Sequence, residues 1–219
     1  MFIIEKSKRP DVLLITPLAK GDTISDKTTE SIKNNNTKID WICLSDNQNP
    51  YKNFDTALKI YEKRYNLPDY IIKIDNDIEA EKNMLPSMIG TLKKSSNNIS
   101  YTYCSFCFTG HVNLKINAIP FDSEKLIINN YISSMSMMKT SHLKEIGGVV
   151  KDDKYFRLLD WALWLKFLNF GYFGEPTYNT SFKAYASENS VSNRGFKDYQ
   201  IKAQRVIEDF VAPYRLKTL

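Results

Sequence analysis

The chain has 219 residues, 42% of them hydrophobic and 13% aromatic, enough apolar material for a buried core and too much for a disordered polypeptide. Its net charge of +5 is spread over Lys6, Lys8 and Arg9, then Lys93 and Lys94, then Arg205, Arg215 and Lys217. With no dense basic run interleaved with aromatics, nucleic acid is excluded as the expected partner, while small anions such as phosphates stay compatible.

In chain order, 11–17 (DVLLITP) is a continuous apolar run ended by Pro17, the pattern of a strand covered on both faces. Ile24, Thr28 and Ile32 suit one face of a surface helix that the Asn34-Asn35-Asn36 cluster stops. A second strand, 39–46 (IDWICLSD), ends at Asp46, and Phe54, Ala57, Leu58, Tyr61 and Tyr65 then form one helical face. The third strand, Tyr70-Ile71-Ile72-Lys73-Ile74, breaks into Asp75-Asn76-Asp77. Strands and helices alternating at these spacings predict a parallel α/β sheet, in which ligands gather beyond the carboxyl ends of the strands. Thr16-Pro17, Ser45-Asp46 and Asp75-Asn76-Asp77 all fall on that rim.

The second half is less regular. Residues 85–95 (LPSMIGTLKKS) read as a helix, and 99–108 (ISYTYCSFCF) and 131–138 (YISSMSMM) as strands. The stretch 141–148 (SHLKEIGG) is a short helix closed by Gly147-Gly148. The helix within 160–172 carries Trp161, Leu165 and Leu168 on one stripe and stops at Gly171; a strand over 177–186 and a helix over 196–211 follow. No internal repeat or linker interrupts the chain, so one domain over 1–219 is expected.

Of the cysteines, Cys43, Cys104 and Cys107, the last two have the spacing of half a zinc site, but no second pair exists. They read as ordinary half-buried thiols in a strand. An odd cysteine count, no secretory leader and no apolar run long enough for a transmembrane segment point to a cytoplasmic setting.

Two carboxylates one residue apart at the tip of a buried strand can converge on one hard divalent cation, which can bridge the phosphates of a bound nucleotide. The plainer reading is a solvated acidic turn. A phosphatase-like hydrolase with Asp75 as nucleophile also places Asp-x-Asp after a strand, though normally the first strand of its fold. The downstream segments separate these readings. After Gly147-Gly148 come Asp160-Trp161, Leu163-Trp164-Leu165, Gly171-Tyr172 and Ser190-Val191-Ser192. Together with Thr16-Pro17, Asp46 and Asp75-Asn76-Asp77, this order over about 11–193 resembles the inverting glycosyltransferases of family two, which have the GT-A fold.

The resemblance implies a mixed, mainly parallel central sheet flanked by helices, with a donor half over about 1–100 and an acceptor half over about 101–219. Thr16, Pro17 and Leu18 would flank the nucleotide and Asp46 would bind its base. Asp75 or Asn76 would face the ribose or the metal's waters, and Asp77, with Asp75, would hold Mn2+ or Mg2+. Asp160 would be the catalytic base, in competition with a helix N-cap role. Trp161 and Trp164 are candidates for the acceptor site or the core. The implied donor is a UDP- or TDP-linked hexose or deoxyhexose and the acceptor a glycan or glycoconjugate hydroxyl; the chain is compatible with a piece of a larger polypeptide. Two departures stand out: Leu159 replaces the Glu that precedes the base, and Ser187 the histidine of the late loop, which leaves a non-catalytic binding module as a further alternative. Arg194 or Lys73 could supply missing positive charge, each otherwise an ordinary surface residue; His111 and His142 match no motif.

Overall fold

The parallel strands expected from the first three apolar runs pair side by side in one sheet. A computed structural model describes residues 1–46, 49–110, 113–186 and 198–211. Strand β1 (Phe2–Glu5) is followed by β2 (Val12–Leu18), helix α1 (Asp26–Lys33), β3 (Ile39–Ser45), α2 (Pro50–Glu62), β4 (Tyr70–Lys73), β5 (Ile78–Ala80) and α3 (Met84–Lys94). Then come β6 (Ile99–Gly110), β7 (Leu114–Ile116), α4 (Ser123–Ile128), β8 (Met137–Lys139) and α5 (Thr140–Glu145). A 3-10 turn at Asp153–Tyr155 precedes α6 (Leu159–Asn169), β9 (Phe173–Ala186) and α7 (Tyr199–Val206), which runs into a π turn at Ile207–Val211.

The strand order is β1-β3-β2-β4-β8-β6-β9-β5, with β7 on β6. The long ladders are parallel, seven partners between β2 and β3 and eleven between β6 and β9, whereas β1, β5, β7 and β8 join by short antiparallel ladders. The sheet is therefore mixed. Its two faces are read directly from β2, where Leu13 and Ile15 pack with α2, α4 and α6, and Val12 and Leu14 with α1 and α3. Burial on both faces is why β2 is apolar without alternation.

The strand expected over 131–138 shrinks to Met137–Lys139. Serine side chains explain the loss: Ser133 Oγ accepts from the Met135 amide at 3.0 Å and Ser136 Oγ donates to the Ser133 carbonyl at 2.7 Å, so the backbone is served locally rather than by a ladder. Gly147 and Gly148, at φ of 78° and 80°, end α5 by returning their amides to Lys144 and Leu143, a conformation that L side chains resist. Gly174 has a different reason to be glycine. It faces Tyr101 across the β6/β9 ladder, and a Cβ there would lie 2.4 Å from the tyrosine ring. Cys43 and Cys104 are buried free thiols, pushed up to about 12 by burial, and Cys107 is half-buried.

Candidate active site

Parallel pairing brings the carboxyl ends of β2, β3 and β4 to one rim. Leu18 pairs with Ser45, Ile15 pairs with Lys73, and the Ile74 amide extends that ladder by donating to the Ile15 carbonyl at 3.0 Å. Asp46 therefore follows β3 on the same rim as the acidic turn that follows β4.

The turn is clamped from two sides. Thr28, fully buried on α1, accepts from the Ile78 amide at 2.9 Å, and its hydroxyl lies 3.0 Å from the Asn76 carbonyl. The Ser25 amide also donates to that carbonyl, at 3.0 Å, and the Tyr185 amide of β9 donates to the Asp77 carbonyl at 3.1 Å. Backbone fixed in this way leaves the carboxylates in place without their own help.

Lys73 changes the reading of the pair. Expected either as a source of positive charge near the carboxylates or, more readily, as an ordinary surface residue, it is buried on β4, 5% exposed, and its ammonium pairs with Asp75 Oδ1. Among the described residues, the other Asp75 oxygen has only a 3.4 Å contact from Ser134 Oγ. Asp77 lies beyond that pair. Its side chain is exposed at the surface, yet partial loss of water around it raises its carboxyl above the usual range, and the charges of Asp75 and Asp22 add to the rise.

Asp160 reaches the same cluster from α6. It is not the helix N-cap: Leu158 holds that position, with no side-chain cap bond, and Asp160 stands in the first turn. There its carboxylate accepts from the Trp161 amide and, at 3.0 Å, from Asn130 Nδ2. Burial nevertheless pushes its pKa up to about 6, against the opposing pull of these bonds and of the Lys73 charge. Tyr51, 5% exposed in the first turn of α2, completes the group, its ring centre 5.9 Å from the Lys73 ammonium.

The raised carboxyl makes a stability prediction. In the unfolded chain an Asp titrates near about 3.9, so the folded state holds its proton more tightly and is penalised as pH rises. That penalty is absent below about pH 4 and complete above about pH 6. Asp160→Asn is therefore expected to stabilise the protein at pH 7.5 by about 1–3 kcal/mol, with the gain vanishing near pH 4. Melting curves of both proteins across that range measure it; a gain independent of pH would contradict the burial account.

The other expected residues are placed as follows. Thr16, Pro17 and Leu18 are buried; Thr16 Oγ1 accepts from Trp41 Nε1 at 3.0 Å and the Leu18 carbonyl from Asn53 Nδ2 at 2.8 Å. Asp46 is exposed, and Asn76 Nδ2 donates to the Thr23 carbonyl at 2.9 Å. Trp161 and Trp164 are core, not acceptor-site, residues: both are buried, and Trp161 donates to the Leu126 carbonyl at 2.7 Å. His142 stacks on Tyr172 and bonds Ser100 at 2.7 Å, away from the rim. His111, Ser187, the segment Ser190-Val191-Ser192 and Arg194 lie outside the described residues. Sequence reasoning missed Tyr51, Asn130 and Ser134, for which no motif exists, and undervalued Lys73, whose signal was a charge inside an apolar run.

Among the described residues no group of three or more His, Cys, Asp or Glu side chains is arranged to hold a metal, and no helix is long and apolar enough to cross a membrane. Two cavities, of about 690 Å³ and 610 Å³, are lined by none of Tyr51, Lys73, Asp75, Asp77 and Asp160, the first by Lys6, Lys8, Arg9, Lys63 and Arg64 among others.

No family model and no curated protein matches the chain. Solved structures do. TarS of S. aureus, residues 1–349 in complex with UDP-GlcNAc, superposes with a TM-score of 0.63 at 11% identity over 90% of this chain and 65% of that one. A longer TarS structure gives 0.63 at 12%, with 39% of it covered. The mannosyltransferase PcManGT from Pyrobaculum calidifontis, in complex with GDP-Man and Mn2+, gives 0.57 at 11% over 97% of this chain and 65% of its own. The chain thus spans less than two thirds of each of these proteins. At such identities the likeness is one of fold, and the architecture is the GT-A arrangement expected, a mixed sheet flanked by helices with its parallel strands ending at an acidic rim.

Proposed function

We propose that the protein is a metal-dependent inverting glycosyltransferase that moves a hexose or deoxyhexose from a UDP- or TDP-sugar to a hydroxyl of a glycan or glycoconjugate. The observation that carries this reading is the convergence of Asp75, Asp77 and Asp160 around Lys73 at the carboxyl rim. The fold supports it too, since similar structures hold UDP-GlcNAc and GDP-Man with Mn2+. Residues of about 1–100 would then hold the donor and those of about 101–219 the acceptor, with Thr16, Pro17 and Leu18 near the nucleotide, Asp46 at its base, and Asn76 or Asp75 toward the ribose.

The donor set fits a divalent cation. Lys73 neutralises one oxygen of Asp75, leaving its second oxygen and all of Asp77 as crowded negative charge that a hard cation would relieve. Mn2+ or Mg2+ held by Asp77 and Asp75 would supply positive charge to the departing diphosphate. Asp160 takes the proton of the acceptor hydroxyl as its oxygen bonds to the anomeric carbon and the opposite bond to the diphosphate breaks, inverting the centre. A carboxyl lifted toward neutrality by burial is a stronger base than an ordinary one. Asp75 follows β4 rather than the first strand of the fold, which favours this reading over a phosphatase with Asp75 as nucleophile.

Thermal unfolding with UDP-, TDP- and GDP-sugars, with and without manganese, tests the proposal. A sugar nucleotide plus manganese at about a hundred times its Kd is expected to stabilise by roughly 3 kcal/mol. Asp77→Ala should abolish the manganese-dependent part. A melting temperature that no nucleotide moves, with or without the ion, overturns it.

A further inference from the structure

We infer that the Tyr51 hydroxyl is a donor-sugar contact, hydrogen-bonding an oxygen of the sugar held between Asp75 and Asp160. This rests on the transferase reading and adds a residue to it. The Tyr51 oxygen is buried and has no hydrogen-bond partner among the described residues, although the residue is only 5% exposed. An unpaired buried hydroxyl is costly, and a phenylalanine would pack against Phe54 and the β2 core without that cost.

The placement of the ring is not left to chance. Its amide donates to Asn49 Oδ1 at 2.9 Å, and Asn49 is anchored in turn to Asp153 Oδ1 at 2.8 Å and to the Lys151 carbonyl at 3.1 Å. The Lys73 ammonium, itself locked to Asp75, sits 5.9 Å from the ring centre. The hydroxyl is near enough to feel the charges of both Asp160 and Asp75, and together with burial they hold it neutral. It is therefore a donor that bonds neither carboxylate yet sits in the field of each. In an in-line displacement the diphosphate lies on the Asp75 side and the acceptor oxygen on the Asp160 side, so the sugar occupies the space between. A neutral phenol matches a sugar hydroxyl, whereas a phosphate would be met by Lys73.

The test compares wild type with Tyr51→Phe in titrations with UDP, UDP-glucose, UDP-galactose and UDP-N-acetylglucosamine, all with manganese. The variant is expected to melt at the same or a higher temperature and to bind UDP unchanged. Its affinity for the sugar nucleotide that wild type prefers should fall roughly ten- to hundredfold. An equal loss for UDP, no loss for the sugar nucleotide, or a lowered melting temperature overturns the inference. Wild-type sugar-nucleotide binding that Tyr51→Phe leaves intact defeats this inference alone, whereas a wild type that binds none defeats the transferase reading as well.

Discussion

Asp160→Asn is expected to cut glycosyl transfer by roughly 10²–10⁴-fold while leaving nucleotide affinity nearly unchanged. Asn keeps the acceptor oxygen for Asn130 and the Trp161 amide, so the first turn of α6 should stand as before. What disappears is the ability to take a proton. In wild type, kcat/KM should fall as pH drops through about 6, where Asp160 becomes protonated, rather than near the ordinary carboxylate value of about 4. The groups that face it are Lys73 on β4, Asn130, the hydroxyl of Tyr51 on α2 and the amides of its own turn. Lys73 pulls its pKa down, so Lys73→Met should move the acid limb upward. Unchanged transfer in Asp160→Asn would remove it from the base role, and lost nucleotide binding would make it structural.

Trp164→Ala is expected to be a severely damaging core substitution, costing about 3–5 kcal/mol and lowering the melting temperature by roughly 6–20 °C, at about 2–4 °C per kcal/mol. Trp164 is fully buried and stacks on Tyr101 with ring centres 4.6 Å apart, and Phe167 of the same helix lies 5.3 Å from that tyrosine. Neither the Trp164 indole N–H nor the Tyr101 hydroxyl has a partner among the described residues, so the stack holds by area and shape alone. Trp164→Phe keeps most of that area and removes the unpaired N–H, and should therefore cost far less. Chemical denaturation of both variants distinguishes packing from polarity; equal losses would mean that the indole nitrogen matters after all.

The first half of the fold was legible because its strands are buried on both faces and so spell themselves as unbroken apolar runs, each ended by polar groups at the rim. Antiparallel additions were not. β5 and β7 have three residues each, too few to display a period, and the serines before β8 look strand-like in composition while their hydroxyls serve the backbone. Asp75, Asp77 and Asp160 stood out as candidates in the chain because order along the sequence carried the resemblance. Lys73 was misjudged, since whether a lysine in an apolar strand snorkels outward or turns inward to a carboxylate depends on a neighbour that only the fold supplies. Trp161 and Trp164 show the converse: helical spacing alone does not distinguish a ring that meets a ligand from one that fills the interior.

The double clamp on the acidic turn also bears on how the molecule comes together. β2, β3 and β4 are near neighbours along the chain and can pair early, but the turn after β4 is completed by β9. There the Tyr185 amide meets the Asp77 carbonyl, and the Tyr185 hydroxyl meets Glu79 at 2.7 Å, 106 residues away. Closing so long a loop is slow and yields nothing until the distant strand arrives. The acidic tip is thus assembled in the last, non-local stage of folding, and a nascent chain that has not yet reached β9 carries the carboxylates without the frame that aims them.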